Sequence, residues 1–424
     1  MSRAVLTIIL LLSSSLSWAQ RHEHTGHGES QRHADHQTAP SLTQQCSSPF
    51  ALPSAHCAKA PMPAFSADGR LWLSFASHGH VYVTYSSNGG QAFSTPIAVN
   101  PLPEPIYADG ENRPKLAFGA DGEIYVSWTR KLAAEYSGEI RFSRSLDGGA
   151  SFETPRSIID QRQLSSHRFD TMTVDRQQRL YLAWIDKRDE AAAKATGKEY
   201  AGAAVYYAVS NDRGATFSPN TKLVDNSCEC CRMSLATAAD GRVHVLWRHI
   251  YPGSARDNAA AVLSAGAIAK NAMRISHDAW QVEACPHHGP DLSLDKEGRM
   301  HVAWFNGGGK RTGLVYGRFD SSNAVLEQDV SVDASAAASH PRVLVLGDTV
   351  YLAWKRFTGD ATEIRLIVST DGGASWSPYR VAANTHHDSD QMFLLSDGEH
   401  PYLSWRTDDE GYRFMALDSP QMKE

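Results

Sequence analysis

The sequence predicts an all-β fold built from about seven repeated four-stranded units, on three observations. An alternating strand that ends in a large aromatic recurs along the chain. A second apolar run precedes it across a short polar turn, often Asp-Gly. Helical periodicity between the copies is scarce. The first copy reads Ser66-Ala67-Asp68-Gly69-Arg70-Leu71-Trp72-Leu73-Ser74-Phe75, and the second Ala120-Asp121-Gly122-Glu123-Ile124-Tyr125-Val126-Ser127-Trp128. Later copies close on Trp184, Trp247, Trp304, Trp354 and Trp405, a period of roughly 50 to 60 residues. A four-stranded unit cannot bury both its faces alone, so such units stack around an axis, and the expected architecture is a β-propeller of seven four-stranded blades.

The chain begins with Arg3, an apolar run from Ala4 to Leu12 and small residues around Ala19, the pattern of a secretory signal cleaved before Gln20. Export to the periplasm or the medium is therefore expected, and no later stretch is long and apolar enough to span a membrane. Residues 20–41 hold few apolar side chains but carry His22, His24, His27, His33 and His36, which reads as a disordered, metal-capturing segment or a solvated linker. The propeller domain is assigned to residues 42–424. Its seventh unit, Asp390 to Leu417, has room for three strands, and Leu42–Leu52 is expected to supply the fourth. With 42% hydrophobic residues the chain can bury a large core, and a formal charge of -6 argues against a nucleic-acid partner.

Four units carry a second signature: Ser86-x-Asn88-x-Gly90-x-x-Phe93, Ser145-x-Asp147-x-Gly149-x-x-Phe152, Ser210-x-Asp212-x-Gly214-x-x-Phe217 and Ser369-x-Asp371-x-Gly373-x-x-Trp376. In this motif the Asp or Asn side chain bonds backbone amides of a tight turn, Gly takes positive φ, and the aromatic packs between strands. On these residues the sequence resembles the Asp-box, or BNR-repeat, proteins of the sialidase-like superfamily. The resemblance implies a propeller, with the six blades usual for sialidases as the alternative to seven. It also implies that these turns join outer strands and that the loops leading into each innermost strand gather at one end.

Those lead-in loops concentrate the unusual residues. They are Cys57 and Lys59; Asp109, Glu111 and Arg113; His167, Arg168 and Asp170; Cys228, Cys230, Cys231 and Arg232; Cys285, His287, His288 and Asp291; His340 and Arg342; and His386, His387, Asp388 and Asp390. Counted back from the aromatic-ending strand, Glu111, His167, Cys230 and His287 are equivalent, so their side chains are expected to share a space. Three readings follow. In the first, thiols and imidazoles at this end bind copper or zinc, with His167, Cys230, Cys231, Cys285, His287, His288, His340, His386 and His387 as the ligand pool and copper the first choice. The competing reading of the cysteines is structural: disulfides tie the fourth blade to its neighbours, and Cys46–Cys57 pins the N-terminal segment. In the second, which follows the resemblance, a sialidase-type glycoside hydrolase uses Arg113, Arg168, Arg232 and Arg342 to hold a substrate carboxylate, with Asp170, Asp109 or Glu111 for acid/base work. The matching Arg-Ile-Pro element appears only as Asn112-Arg113-Pro114, and no Tyr-Glu pair has the right spacing. In the third, the propeller is a non-catalytic platform for a small-molecule, glycan or protein partner.

Overall fold

The structure is a computed structural model in which residues 42–48, 50–161, 165–265, 272–323 and 325–418 are described. The expected signal sequence and the histidine-rich segment lie outside them. No helix among the described residues is long and apolar enough to cross a membrane.

The fold is all-β, as the alternating runs require. The first sheet is the antiparallel meander β1 (Lys59–Phe65), β2 (Leu71–Ser77), β3 (His80–Ser86) and β4 (Ile97–Ala98). The second is β5 (Lys115–Phe118), β6 (Ile124–Lys131), β7 (Gly138–Ser145) and β8 (Arg156–Ser157). Then come β9 (His167–Val174), β10 (Leu180–Asp186), β11 (Ala203–Ser210) and β12 (Thr221–Ser227). They are followed by β13 (Ser234–Thr237), β14 (Val243–Tyr251), β15 (Ala255–Leu263) and β16 (Met273–Arg274). These last two meanders merge into one eight-stranded sheet through the pair Ser227↔His249. Two further four-stranded sheets comprise β17 (Asp291–Leu294), β18 (Met300–Gly308), β19 (Arg311–Phe319) and β20 (Leu326–Asp333), and β21 (Ala338–Leu346), β22 (Thr349–Phe357), β23 (Thr362–Ser369) and β24 (Arg380–Thr385). The last sheet has three strands, β25 (Phe393–Ser396), β26 (Pro401–Thr407) and β27 (Gly411–Ala416).

The first strand of each meander lies against the first strand of the next, in chain order from β1 to β25, and β25 in turn lies against β1. The recurring aromatics Phe75, Trp128, Trp184, Trp247, Trp304, Trp354 and Trp405 are each at most 1% exposed. They sit in apolar clusters that mostly draw on adjacent sheets, so the core is the set of sheet-to-sheet seams. Each such ring contributes roughly 4–6 kcal/mol of gross burial free energy, from about 150–250 Å² at about 25 cal/mol/Å².

The four Ser-x-Asp/Asn-x-Gly turns share one hydrogen-bond scheme. At Ser145 the hydroxyl donates to Asp147 Oδ1 (2.6 Å) and accepts from Gly149 N (2.8 Å), while Ser151 N donates to Asp147 Oδ1 (2.9 Å). The same bonds recur at Ser86, Ser210 and Ser369. Hydrogen bonds from Ser145 and Ser151 hold Asp147 down at about 2. The glycine faces the preceding sheet: a Cβ on Gly214 (φ +73°) would lie 2.8 Å from Phe142, and one on Gly90 would lie 3.0 Å from Phe414 of the last sheet.

Leu42–Leu52 does not supply a fourth strand to the last sheet, contrary to expectation. Leu42–Ser47 is the short helix α1, and Cys46 is disulfide-bonded to Cys57 (Cα–Cα 5.2 Å). Leu-Thr-Gln-Gln-Cys-Ser lacks the two-residue apolar alternation a strand needs. The disulfide holds this segment beside the lead-in loops, where His78 Nε2 lies 3.2 Å from Ser48 O.

Candidate metal centre

The loop between β12 and β13 carries Cys228-Glu229-Cys230-Cys231-Arg232. Its start is fastened by the β12–β14 pair and by Cys228 N donating to Arg248 O (2.9 Å). Its end is fastened by Arg232 N donating to Glu111 Oε2 (2.6 Å). Gly289 lets the following lead-in loop cross directly over this end, because a Cβ there would lie 2.4 Å from Arg232 O. Held at both ends, the loop turns all three thiols inward, at 1%, 4% and 1% exposure for Cys228, Cys230 and Cys231. They join an apolar cluster with Phe169, Tyr207, Met233 and Trp247.

The Sγ atoms of Cys228 and Cys231 are 3.1 Å apart, and those of Cys228 and Cys230 4.0 Å. All three lie within 4.8 Å of one another, which makes them the metal-sized group of ligand atoms among the described residues. Arg256 Nη1 donates to Cys228 Sγ (3.3 Å). Hydrogen bonds from Cys230 and Cys231, with Arg256 and Arg248 nearby, hold the Cys228 thiol well below its ordinary range. Its hydrogen-bonded neighbours pay the converse: Cys230 is pushed up first by its bonds to the other two thiols, and Cys231 first by burial. Three inward-facing thiols at this spacing have the donor type and separation that a thiophilic cation requires.

The expected ligand pool is divided by the structure. Cys285 and His287 are exposed, and Cys285 is unpaired, as are the three clustered cysteines. The disulfides expected to tie the fourth meander to its neighbours are therefore not formed, because the three buried thiols face one another within a single loop. His167 Nδ1 is bonded to buried Asp186 (2.8 Å), and His167 is not part of the thiol group. His386 and His387 lie in a cleft of about 650 Å³ with Leu42, Phe357, Asp360, Asp388, Asp408 and Asp409. A second cleft of about 650 Å³ runs past Cys57, Lys59, His78, Asp109, Asp390 and Arg406. Neither is lined by the clustered thiols.

His288 and His340 do meet, with ring centroids 5.1 Å apart, and the Nδ1 atom of each is buried without a hydrogen-bond partner. Burial, then Arg248 and Arg232, pushes His288 down to about 3, and burial together with Arg232 depresses His340 strongly. Beside them Glu111 acts as a clasp. Its Oε2 accepts from Arg232 N, and its Oε1 accepts from Gln391 Nε2 (2.6 Å) and Arg232 Nη1 (3.3 Å) and lies 3.8 Å from His340 Nε2.

Register explains which residues converge. Lys115, Thr171, Ser234, Asp291, Arg342 and Phe393 each face the residue before the buried Trp of their sheet. Counted back from them, Glu111, His167, Cys230 and His287 are equivalent, as expected, yet their side chains reach four different surroundings. Of the four, Glu111 makes the cross-sheet contacts, and its partners Arg232, His340 and Gln391 lie two positions further along in their own loops. Gln391 carried no signal in the sequence, because its role depends on a carboxylate 280 residues away.

The arginine cluster is similarly committed. Arg113 makes two bonds to Asp390 (2.8 and 3.2 Å) and one to Pro61 O (2.6 Å). Arg232 binds Glu111 and Pro341 O, and Arg342 binds Asp291, Gln391 and Met392 O. Arg168 lies over the Tyr107 and Phe169 rings. Asp170 is buried and accepts from Ser127 Oγ (2.6 Å), and Asp109 accepts four bonds from Glu111 and Asn112. Lys115, desolvated at the same place, is pushed down to about 8.

No family model matches the sequence, and no curated protein matches it. Among solved structures, the fold is similar to a PL25 ulvan lyase, described as a new polysaccharide lyase family, at 11% identity and a TM-score of 0.56 over 86% of this chain and 92% of that one. It is also similar to the polysaccharide lyase Uly1, at 10% identity and a TM-score of 0.53 over 85% and 90% of the two chains. A Hadza microbial sialidase, Hz136, aligns at 13% identity and a TM-score of 0.49 over 80% and 74%. At these identities the likeness is one of fold, a propeller-type all-β architecture.

Proposed function

We propose that this chain is an exported, closed seven-bladed β-propeller that holds copper or zinc on Cys228, Cys230 and Cys231, in metal storage, delivery or sensing rather than hydrolysis. The blade count is supported by seven successive meanders. Closure is supported by β25 lying against β1 and by Gly90 seated on Phe414. The observation that carries the metal reading is the buried group of three Sγ atoms within 4.8 Å. Thiolates select thiophilic ions over magnesium or calcium, and burial excludes competing water. The histidine-rich segment ahead of residue 42 supplies a second population of imidazoles for capture.

The test is elemental analysis of protein purified from its native compartment, together with Cu(I) and Zn(II) uptake by the reduced chain. One ion per chain is expected, with near-complete loss in Cys228→Ser and Cys231→Ser. A reduced, folded chain that takes up neither ion removes the proposal.

The polysaccharide lyases that share the fold support a second reading, in which the cleft holding Asp360, Asp388, Asp408, Asp409 and the half-exposed Phe357 ring takes a glycan. Carboxylates beside an aromatic face suit sugar hydroxyls and apolar ring faces. Release of reducing ends from neutral polysaccharides, lost in Asp388→Asn, is its test. A sialidase-type carboxylate clamp is less well supported, since Arg113, Arg232 and Arg342 already have carboxylate partners.

A further inference from the structure

We infer that the three-thiol site is matched in charge to a monovalent ion, Cu(I) or its analogue Ag(I), and that Arg248 and Arg256 set this selectivity. The inference rests on the thiol reading above and names the ion class it takes.

Two guanidiniums belong to residues fastened to the cysteine loop, Arg256 by its side chain and Arg248 by its backbone carbonyl, and neither has a carboxylate partner. Arg248 is 1% exposed and donates only to carbonyls, namely His288 O (2.9 Å), Phe305 O (2.7 Å) and Arg256 O (3.0 Å). Arg256 donates to Val282 O (3.2 Å) and to Cys228 Sγ (3.3 Å). Among the described residues neither takes part in an ion pair, whereas the buried Arg113, Arg188 and Arg232 each have one. Glu229, the acid inside the motif, turns to Lys187 (3.4 Å) and supplies no counter-charge. Unpaired buried charge is costly, so the natural partner of these two cations is the thiolate cluster itself.

The charges then decide the ion. Three thiolates around a monovalent ion carry two negative charges, which Arg248 and Arg256 balance. The same thiolates around a divalent ion carry one, leaving a buried positive charge unmatched. Whatever protons the thiols hold beforehand, Cu(I) loading leaves one more negative charge than Zn(II) loading. Removing a neighbouring positive charge must therefore weaken Cu(I) more than Zn(II).

The experiment is chelator competition on the full, reduced chain under anaerobic conditions, with Cu(I) and Zn(II) as separate probes, for the parent, Arg256→Gln and Arg256→Lys. Arg256→Gln is expected to lower Cu(I) affinity at least about tenfold more than Zn(II) affinity, as one unit charge at close range in a shielded site requires. Arg256→Lys, which keeps the charge, restores the parental ratio. X-ray absorption of the Cu(I)-loaded parent provides a measurement independent of the variants, and three sulfur neighbours are expected. An unchanged Cu(I)-to-Zn(II) ratio in Arg256→Gln overturns the inference and leaves the thiol site standing, whereas fewer than three sulfurs overturns both the inference and the three-thiol site. Failure of the parent to bind either ion overturns the thiol reading itself.

Discussion

Glu111→Ala is the perturbation that most directly probes how the lead-in loops are held together. The carboxylate is 5% exposed and accepts from Arg232 N, Arg232 Nη1 and Gln391 Nε2, groups that belong to two other sheets. Alanine leaves the Arg232 guanidinium buried with Pro341 O as its remaining acceptor, and leaves the Arg232 amide without one. Breaking a buried ion pair from one side costs about 3–5 kcal/mol, because the surviving charge stays desolvated. Glu111→Gln keeps one acceptor oxygen and is expected to cost about 2–3 kcal/mol. Equilibrium urea unfolding followed by tryptophan fluorescence measures both. Removing the exposed Lys296–Asp348 pair is the control, with no resolvable shift expected. Because Glu111 also fixes the end of the cysteine loop, the Cys231 thiol should react faster with a thiol reagent in Glu111→Ala. A loss under about 1 kcal/mol, with unchanged thiol reactivity, would refute the clasp.

Three further outcomes are expected. His244 is fully buried with both ring nitrogens unpartnered, and burial, then Arg242, pushes it from 6.5 down to about 4. The unfolded chain binds the proton first, so stability present above about pH 6.5 falls by about 3 kcal/mol as pH drops towards 4; His244→Leu removes that part of the slope in urea midpoints measured across the range. Gly214→Ala combines a left-handed backbone with a clash on Phe142 and should cost about 2–4 kcal/mol, whereas Gly148→Ala (φ +68°, open space) costs about 1 kcal/mol; comparing their thermal unfolding separates packing from backbone strain. Opening the Cys46–Cys57 bridge, which spans 11 residues, should lower stability by about 3 kcal/mol in Cys46→Ser/Cys57→Ser, and an unaltered melting curve would show that α1 needs no tether.

Much of the fold was legible because its signals are local. Two-residue alternation ending in Trp needs only the strand itself, and the Ser-x-Asp-x-Gly turn closes its bonds within five or six residues. The cysteine motif was legible in the same way, since Cys228 and Cys231 are three residues apart and share a loop. Less was readable where distant residues choose a side chain's direction. His167 and Cys230 occupy equivalent positions, but Asp186 draws one imidazole away while Phe169, Tyr207 and Trp247 enclose the other residue's thiol. Leu42–Ser47 departs from the expected strand because it lacks apolar alternation, and it forms a short helix tethered by Cys46–Cys57.

Sequence alone determined the all-β repeat and the loops on which unusual chemistry sits, because backbone periodicity and turn geometry act over a few residues. Tertiary structure alone decided that three thiols face one another, that Arg256 at Cys228 and Arg248 behind the loop have no carboxylate, and that Arg113, Arg232 and Arg342 are each matched by one. The physical reason is desolvation: once sheets close over a loop, every charge and thiol inside must find its complement among residues the chain delivers from elsewhere.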